Sequence, residues 1–320
     1  MGRWVMFEKS TANRVFIFVS AVIGAGFATG RELNVYFFSH GIRCGTAGML
    51  ISALLFALTA YKTLRIGADF DIKSYKDMLR LIFGKRAAGL FLLASTAFFA
   101  VLTAAMAAAF GGLCGGFGIN ERAASLVFCL VCGICAKRGA GRASFVLCPV
   151  MLAGCLYIGL AFYGQTEPCG GDIGFLPDAL IYTAYNVLTG TAVLFCCPKC
   201  GKRQAVGTAA GIFVLIFVCG WVFGRCTAGT NAPLPIYALV RDKAVPMVLY
   251  TLVLTCALFT TALDNVLCLK PYIGVTAACV IGAVLSMIGL DAIVSVLYRV
   301  FGVVGCGVVA GVLTYPAGPP

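Results

Sequence analysis

Charge is what this chain has least of. Charged residues fill 11% of its 320 positions, with only 12 acidic side chains among them, where an ordinary soluble domain carries about a quarter. A soluble fold of this length is excluded by that shortage. Histidine occurs once, at His40. With one imidazole, no paired catalytic carboxylates and no nucleotide motif, the chain has little with which to run an enzyme's chemistry or an ATP-driven pump. Long polar stretches are missing too, so no soluble domain fits between the apolar ones.

What is there is hydrophobic: 61% of the residues. Runs of about 18 residues or more, enough to cross a hydrocarbon core of about 30 Å, recur along the chain. They are much longer than the roughly 10-residue alternating strands of an outer-membrane barrel. The expected fold is therefore an all-α integral membrane protein with about ten spans, at 13–38, 45–65, 86–111, 121–137, 142–164, 175–197, 204–224, 245–268, 271–289 and 291–315. The first span has no small-residue cleavage site after a short apolar core, so it is expected to be retained and not removed as a signal peptide.

Basic residues are kept on the cytoplasmic side. With the N-terminus inside, 17 of the 24 basic residues fall in inside segments, from Arg3, Lys9 and Arg14 through the seven between Lys62 and Arg86 to Lys270, and six fall outside. Both termini are thereby placed in the cytoplasm, and the chain in a cytoplasmic (inner) membrane. The same bias accounts for the net charge of +12 without nucleic acid as a partner. One inside segment, "SYKDMLRLIFG" (74–84), opens with a capping-box-like Ser74/Asp77 pair and spaces Tyr75, Met78, Leu79, Ile82 and Phe83 helically, which predicts an interfacial helix in the headgroup plane.

Cysteine is plentiful, with 17 residues, and "CLVCGIC" and "CCPKC" carry the C-x-x-C spacing of metal and redox sites. The first set lies inside a span, where Cys acts as a small hydrophobe, and neither has a nearby His. No transition-metal site is expected. Disulfides are not expected either, since only Cys44, Cys114, Cys169 and Cys226 fall near the outer face.

The stretch that stands out is "VIGAGFATGRE" (22–32), in the middle of the first apolar run. Its glycines are spaced G-x-G-x-x-x-G within a membrane span, which fails the dinucleotide fingerprint on both spacing and context. Gly26 and Gly30 fit a small-xxx-small packing face. Thr29, Arg31 and Glu32 follow directly at a depth where ionisable groups face a cavity or pathway. Gly24 and Gly26 also weaken the helix by about 1 kcal/mol each. A broken helix is the expectation, as in transporters whose inverted repeats each supply one. That design predicts a second break in span six, "ALIYTAYNVLTGTAVLF", where Tyr182, Thr183, Tyr185, Asn186, Thr189, Gly190 and Thr191 gather; the alternative is hydroxyls bonded back to their own helix. A third polar cluster, "ALFTTALDN" in span eight, offers Thr260 and Thr261 as hard oxygen donors for a small cation.

On these motifs, with "LYRVFG" in span ten, the chain resembles the YkvI-type family of uncharacterised bacterial membrane proteins, in the amino acid–polyamine–organocation superfamily with the LeuT fold. The resemblance implies one transporter-like domain over 1–320, built as a 5+5 inverted repeat (about 13–164 and 175–315) with helices one and six broken. It implies a substrate site at Gly24, Ala25, Gly26, Thr29, Glu32, Tyr182, Tyr185 and Asn186, with N–H groups at Gly24 to Gly26 offered to a substrate carboxylate. It also implies a bound sodium ion, and no other cofactor, on carbonyls of Ser20, Ile23 and Ala257 and the hydroxyls of Thr260 and Thr261. Three residues depart from the family pattern: Arg31 in place of Gln, Asp264 in place of a small residue, and Arg299 in place of Pro. Arg299 with Asp264, or Arg31 with Glu32, would make ion pairs; alternatively Glu32 is a proton or cation partner and Asp264 a coupling-site carboxylate, or Asp264 is simply a charge at a helix end. The expected function is cation-coupled transport of an amino acid or similar zwitterion, and the alternative is a non-transporting receptor on the same fold.

Overall fold

The computed structural model describes residues 11–138, 141–163, 174–230, 232, 234–288 and 290–316, with backbone only at 141, 142 and 290–299. Arg3, Lys9 and Cys169 and the side chains of Arg142 and Arg299 lie outside the described residues. Among those described, all regular structure is helical: α1 (Thr11–Val22), α2 (Ala25–Ala28), α3 (Arg31–Tyr36), a 3-10 turn (Phe38–His40), α4 (Ile42–Asp69), α5 (Tyr75–Gly115), α6 (Glu121–Lys137), α7 (Gly141–Ala161), α8 (Phe175–Leu194), α9 (Lys202–Arg225), α10 (Pro235–Val240), α11 (Ala244–Ser286) and α12 (Leu290–Thr314).

Five of the described helical segments are long and apolar enough to cross a membrane: α4, α5, residues Ala143–Ala161 of α7, α9 and α11. Two of them are too long for one crossing. At about 1.5 Å per residue, the 43 residues of α11 would reach about 65 Å, twice the hydrocarbon core. The helix turns instead at Gly274, whose φ of 77° is left-handed, so the spans expected at 245–268 and 271–289 are the two arms of one bent element. α5 bends likewise at Gly84, with φ 74°. Its first arm is the "SYKDMLRLIFG" segment, started as its sequence implies: the Ser74 hydroxyl accepts from the Asp77 N–H at 3.2 Å. The apolar side of that arm, however, faces protein. Tyr75, Met78 and Leu79 are buried, and the Tyr75 hydroxyl lies 3.0 Å from Ser95 Oγ on the second arm.

Helix α11 runs through the bundle against α5, α6, α7 and α1, while α12 and α4 flank α8. One contact shows how close these helices come. A Cβ at Gly305 of α12 would lie 2.0 Å from the Ala184 carbonyl oxygen of α8, so only glycine lets the two backbones meet. Large apolar side chains such as Leu90, Val248 and Val303 point outward, as a lipid-facing surface requires.

The expected break in span six is corrected by α8, which is continuous from Phe175 to Leu194. Its polar side chains support the helix and do not interrupt it. Thr183 donates to the Ala179 carbonyl at 2.8 Å, Thr191 to Val187 at 2.7 Å, and the Asn186 amide to Tyr182 at 3.0 Å. Gly190 is a packing notch, since a Cβ there would meet the Phe18 ring at 2.6 Å.

Candidate functional site

The first span does break. Helix α1 ends where the Ile23 N–H reaches Val19 O at 2.8 Å, Gly24 takes an extended conformation (φ −94°, ψ −162°), and α2 begins at Ala25. Helix ends leave carbonyls unserved, and here a neighbouring helix serves two of them. The Thr261 hydroxyl, from α11, donates to Ser20 O at 3.0 Å and approaches Ile23 O at 3.4 Å. A Cβ at Gly24 would lie 3.5 Å from the same threonine's Oγ1.

Asp264 lies one helical turn along from Thr260 and Thr261 and is 1% exposed. Its carboxylate accepts from Ser20 Oγ of α1 at 2.7 Å and from Ser144 Oγ of α7 at 3.2 Å. Three helices are joined there through one acid, and no cation among the described residues stands in ion-pair range of it. The reading of Asp264 as a helix-end charge is thereby overturned. Of the implied ion ligands, the Ser20 and Ile23 carbonyls and the Thr261 hydroxyl come together. The Thr260 hydroxyl stays with its own helix, on Cys256 O at 2.9 Å and Ala257 O at 3.3 Å. Next along α11, Asn265 is fully buried; its Oδ1 accepts from Thr189 of α8 at 3.3 Å, and its amide nitrogen has no hydrogen-bond partner.

Two further glycines of the motif have separate reasons to be there. A Cβ at Gly26 would lie 2.3 Å from both Cδ and Oε1 of Glu32, so the Glu32 carboxyl folds back from α3 into the space a side chain would need. Gly30 takes φ 76°, a left-handed turn between α2 and α3, beneath Thr227 and Ile236. The Thr29 hydroxyl caps back to Gly26 O at 3.1 Å, and its carbonyl accepts the Ile236 N–H of α10 at 3.1 Å.

Tyr182 and Tyr185, from α8, form a trio with Tyr36 of α3. Ring centroids lie 5.6 Å apart between Tyr182 and Tyr185, and 5.7 and 6.0 Å from Tyr36 to each. Tyr36 had no counterpart in the sequence reading, although it follows Glu32 by one turn and therefore shares its face of α3.

A cavity of about 700 Å³ opens at the end of the molecule that carries α10 and reaches down to Ala25 and Thr29. Its walls are mainly apolar and aromatic, including Leu113, Met247, Tyr250 and Leu254, with Glu121 and Arg122 among them. The expected residues Gly24, Gly26, Glu32, Tyr182, Tyr185 and Asn186 are not part of that lining. At the opposite end several contacts tie the helices together around a smaller cavity of about 180 Å³. Arg14 of α1 is fully buried and donates through Nη2 to the Pro198 carbonyl, after α8, at 3.0 Å. Lys199 pairs with Asp71 in the connection after α4, and Lys62 donates to Tyr315 O at 2.9 Å. The Lys199 ammonium, with Lys73 nearby, holds the Asp71 carboxyl below the usual carboxylate range. Among the described residues no group of three His, Cys, Asp or Glu side chains is placed to hold a metal.

An interrupted first helix packed on a bent α11 inside an all-helical bundle places the chain among proteins of LeuT-like fold. It aligns over 92% of its length with 74% of Mhp1, a nucleobase-cation-symport-1 family transporter with bromovinylhydantoin bound, at TM-score 0.64 and 15% identity. It aligns over 95% of its length with 76% of the Eremococcus coleocola manganese transporter, at TM-score 0.62 and 11% identity. At those identities the likeness is one of fold. In sequence the chain is similar to the uncharacterized membrane protein YkvI of Bacillus subtilis (strain 168), 38% identical over 80 residues. That match spans 25% of this chain and 23% of the relative. No family model matches the chain.

Proposed function

We propose that the chain is a secondary active transporter of the cytoplasmic membrane, coupled to a cation, that moves an amino acid or similar small zwitterion by alternating access. The observation that carries this reading is the break in α1. It presents two carbonyls to a threonine of α11 beside a buried carboxylate that has hydroxyls as its hydrogen-bond partners. Burying an acid in a membrane bundle is costly, and such residues mark ion and proton routes. Sodium suits the donor set: the Ser20 and Ile23 carbonyls and the Thr261 hydroxyl, which meet at the break, are hard oxygens, the Thr260 hydroxyl and Ala257 carbonyl would have to turn from each other to join them, and Asp264 supplies the charge. With Arg14 on the cytoplasmic side, the tied end faces inward and the larger cavity faces outward. Two five-span halves, about 13–164 and 175–315, then provide the bodies that move against each other.

Proteoliposomes with an imposed sodium or proton gradient test this. Labelled amino acids are expected to accumulate, and no accumulation under either gradient overturns transport. Replacing Thr260 and Thr261 together by Ala should remove sodium stimulation, and stimulation that survives overturns the ion assignment.

A further inference from the structure

We propose that the small cavity at the tied end is a binding site for a phosphate-bearing anion, held between the end of α4 and the connection that follows α8. No residue of the break is among its walls, so the site stands apart from the transport reading.

The cavity measures about 180 Å³, room for about six water molecules at about 30 Å³ each. It lies where α4 meets the end of α8, since a Cβ at Gly67 would stand 3.4 Å from the Phe195 ring. Thr63 of α4 lines one side and Phe195 and Pro198 the other, with Lys73 and Lys199 completing the wall.

The first observation is an unserved hydroxyl. Thr63 is 1% exposed, and its Oγ1 has no hydrogen-bond partner. A threonine inside a helix ordinarily donates to the carbonyl one turn back, as Thr59 does to Leu55 O at 2.7 Å on the same helix. Leaving a buried hydroxyl without a partner is costly. An acceptor atom seated in the cavity that Thr63 lines removes that cost.

The second observation is charge. Two lysines line the cavity and, among the described residues, no acid does. Of the acids nearest in the chain, Asp69 pairs with Arg65 and Asp71 with Lys199, which leaves Lys73 with no ion pair. The backbone N–H groups of Ile72, Lys73 and Lys199, all residues of the same wall, carry no backbone hydrogen bond. A hollow supplied with hydroxyl, ammonium and amide donors matches a group that has only acceptor oxygens, and phosphate is such a group. Two sources carry it: the headgroup of an anionic lipid, which on the orientation proposed above belongs to the inner leaflet, and the free ion. Either one bridges the end of α4 to the connection after α8 and so adds to the tie.

The test uses the full-length protein in detergent. Its melting temperature is followed against inorganic phosphate, dihexanoyl phosphatidic acid below its micellar concentration, dihexanoyl phosphatidylcholine, and potassium chloride at matched ionic strength. A ligand of the native state raises that temperature with its concentration. Phosphate and phosphatidic acid are expected to do so saturably, and chloride and phosphatidylcholine are not. Phosphatidic acid binding at least tenfold tighter than phosphate assigns the site to a lipid headgroup; comparable binding assigns it to the free ion. No saturable shift with either, the same shift with chloride, or an equal shift with phosphatidylcholine overturns the proposal. Thr63→Val removes the hydroxyl and should weaken binding roughly tenfold, the scale of one hydrogen bond to a charged group. Asp71→Asn, which frees Lys199, should tighten it several-fold. Unchanged affinity in Thr63→Val would mean that the lysines attract anions without the cavity, and it overturns the site. If Thr63→Val fails to fold, Lys73→Gln on the exposed rim decides instead, with weaker binding expected and unchanged affinity overturning the assignment.

Discussion

At the scale of single residues, the glycines of the first span do three different things, and each can be removed separately. Gly30→Ala forces a left-handed residue, at about 1–2 kcal/mol, and drives a methyl against Thr227 and Ile236; a lower melting temperature is the expected readout. Gly26→Ala must expel Glu32, so its larger effect should be on ligand binding. Asp264→Asn keeps the shape but removes the charge and leaves one acceptor oxygen for the two serine hydroxyls. Folded protein with cation-driven accumulation abolished is the expected outcome in vesicles, and full coupling in that variant would count against its role. Asp71 gives a pH signature. Its carboxyl is held below the ordinary value of 3.8 by Lys199, so its contribution is present above that value and lost as pH falls through the lower folded one. Melting curves of wild type and Asp71→Asn should differ at neutral pH and converge in strong acid. Thr261 and Glu32 were legible in the sequence because polar groups inside an apolar run announce themselves. Ser144 was not, since it reaches Asp264 across 120 positions of chain and nothing local distinguishes it from any other helix serine.

At the scale of elements, the interrupted first helix was readable, and the intact α8 is the alternative of hydroxyls bonded back to their own helix, not the expected break. Both segments mix glycine with hydroxyls; what separates them is where the hydroxyls go. In α8, Thr183, Thr191 and Asn186 bond back within their own turns, which adds support to a helix that sequence alone suggests is weak. In the first span, the carbonyls of Ser20 and Ile23 are claimed by Thr261 of another helix, a long-range contact no local pattern encodes. The bends in α5 and α11 were visible only as gaps between spans. Gly274→Ala should cost about 1–2 kcal/mol from backbone strain alone, because the space around it is open. Gly305→Ala should cost more, since its methyl would meet the α8 backbone and separate α12 from α8. Thermal unfolding of the two variants side by side measures the difference.

At the scale of the whole molecule, the described conformation is open at one end and tied at the other, and the tie at Arg14 has a probe beside it. Cys200 is buried in the same connection as Pro198. Arg14→Ala should free α1 from that connection, and Cys200 should then react with a maleimide several-fold faster than in the parent protein. Equal labelling rates would show that the end stays shut without Arg14. At the other end, the bond from Ile236 to Thr29 joins α10 to the residue that both walls the cavity and caps the end of α2. Whatever grips the connection between α9 and α11 from the aqueous side therefore pulls directly on the floor of the site. That short helix is a handle: an antibody fragment gripping it is expected to hold the bundle still without entering the cavity.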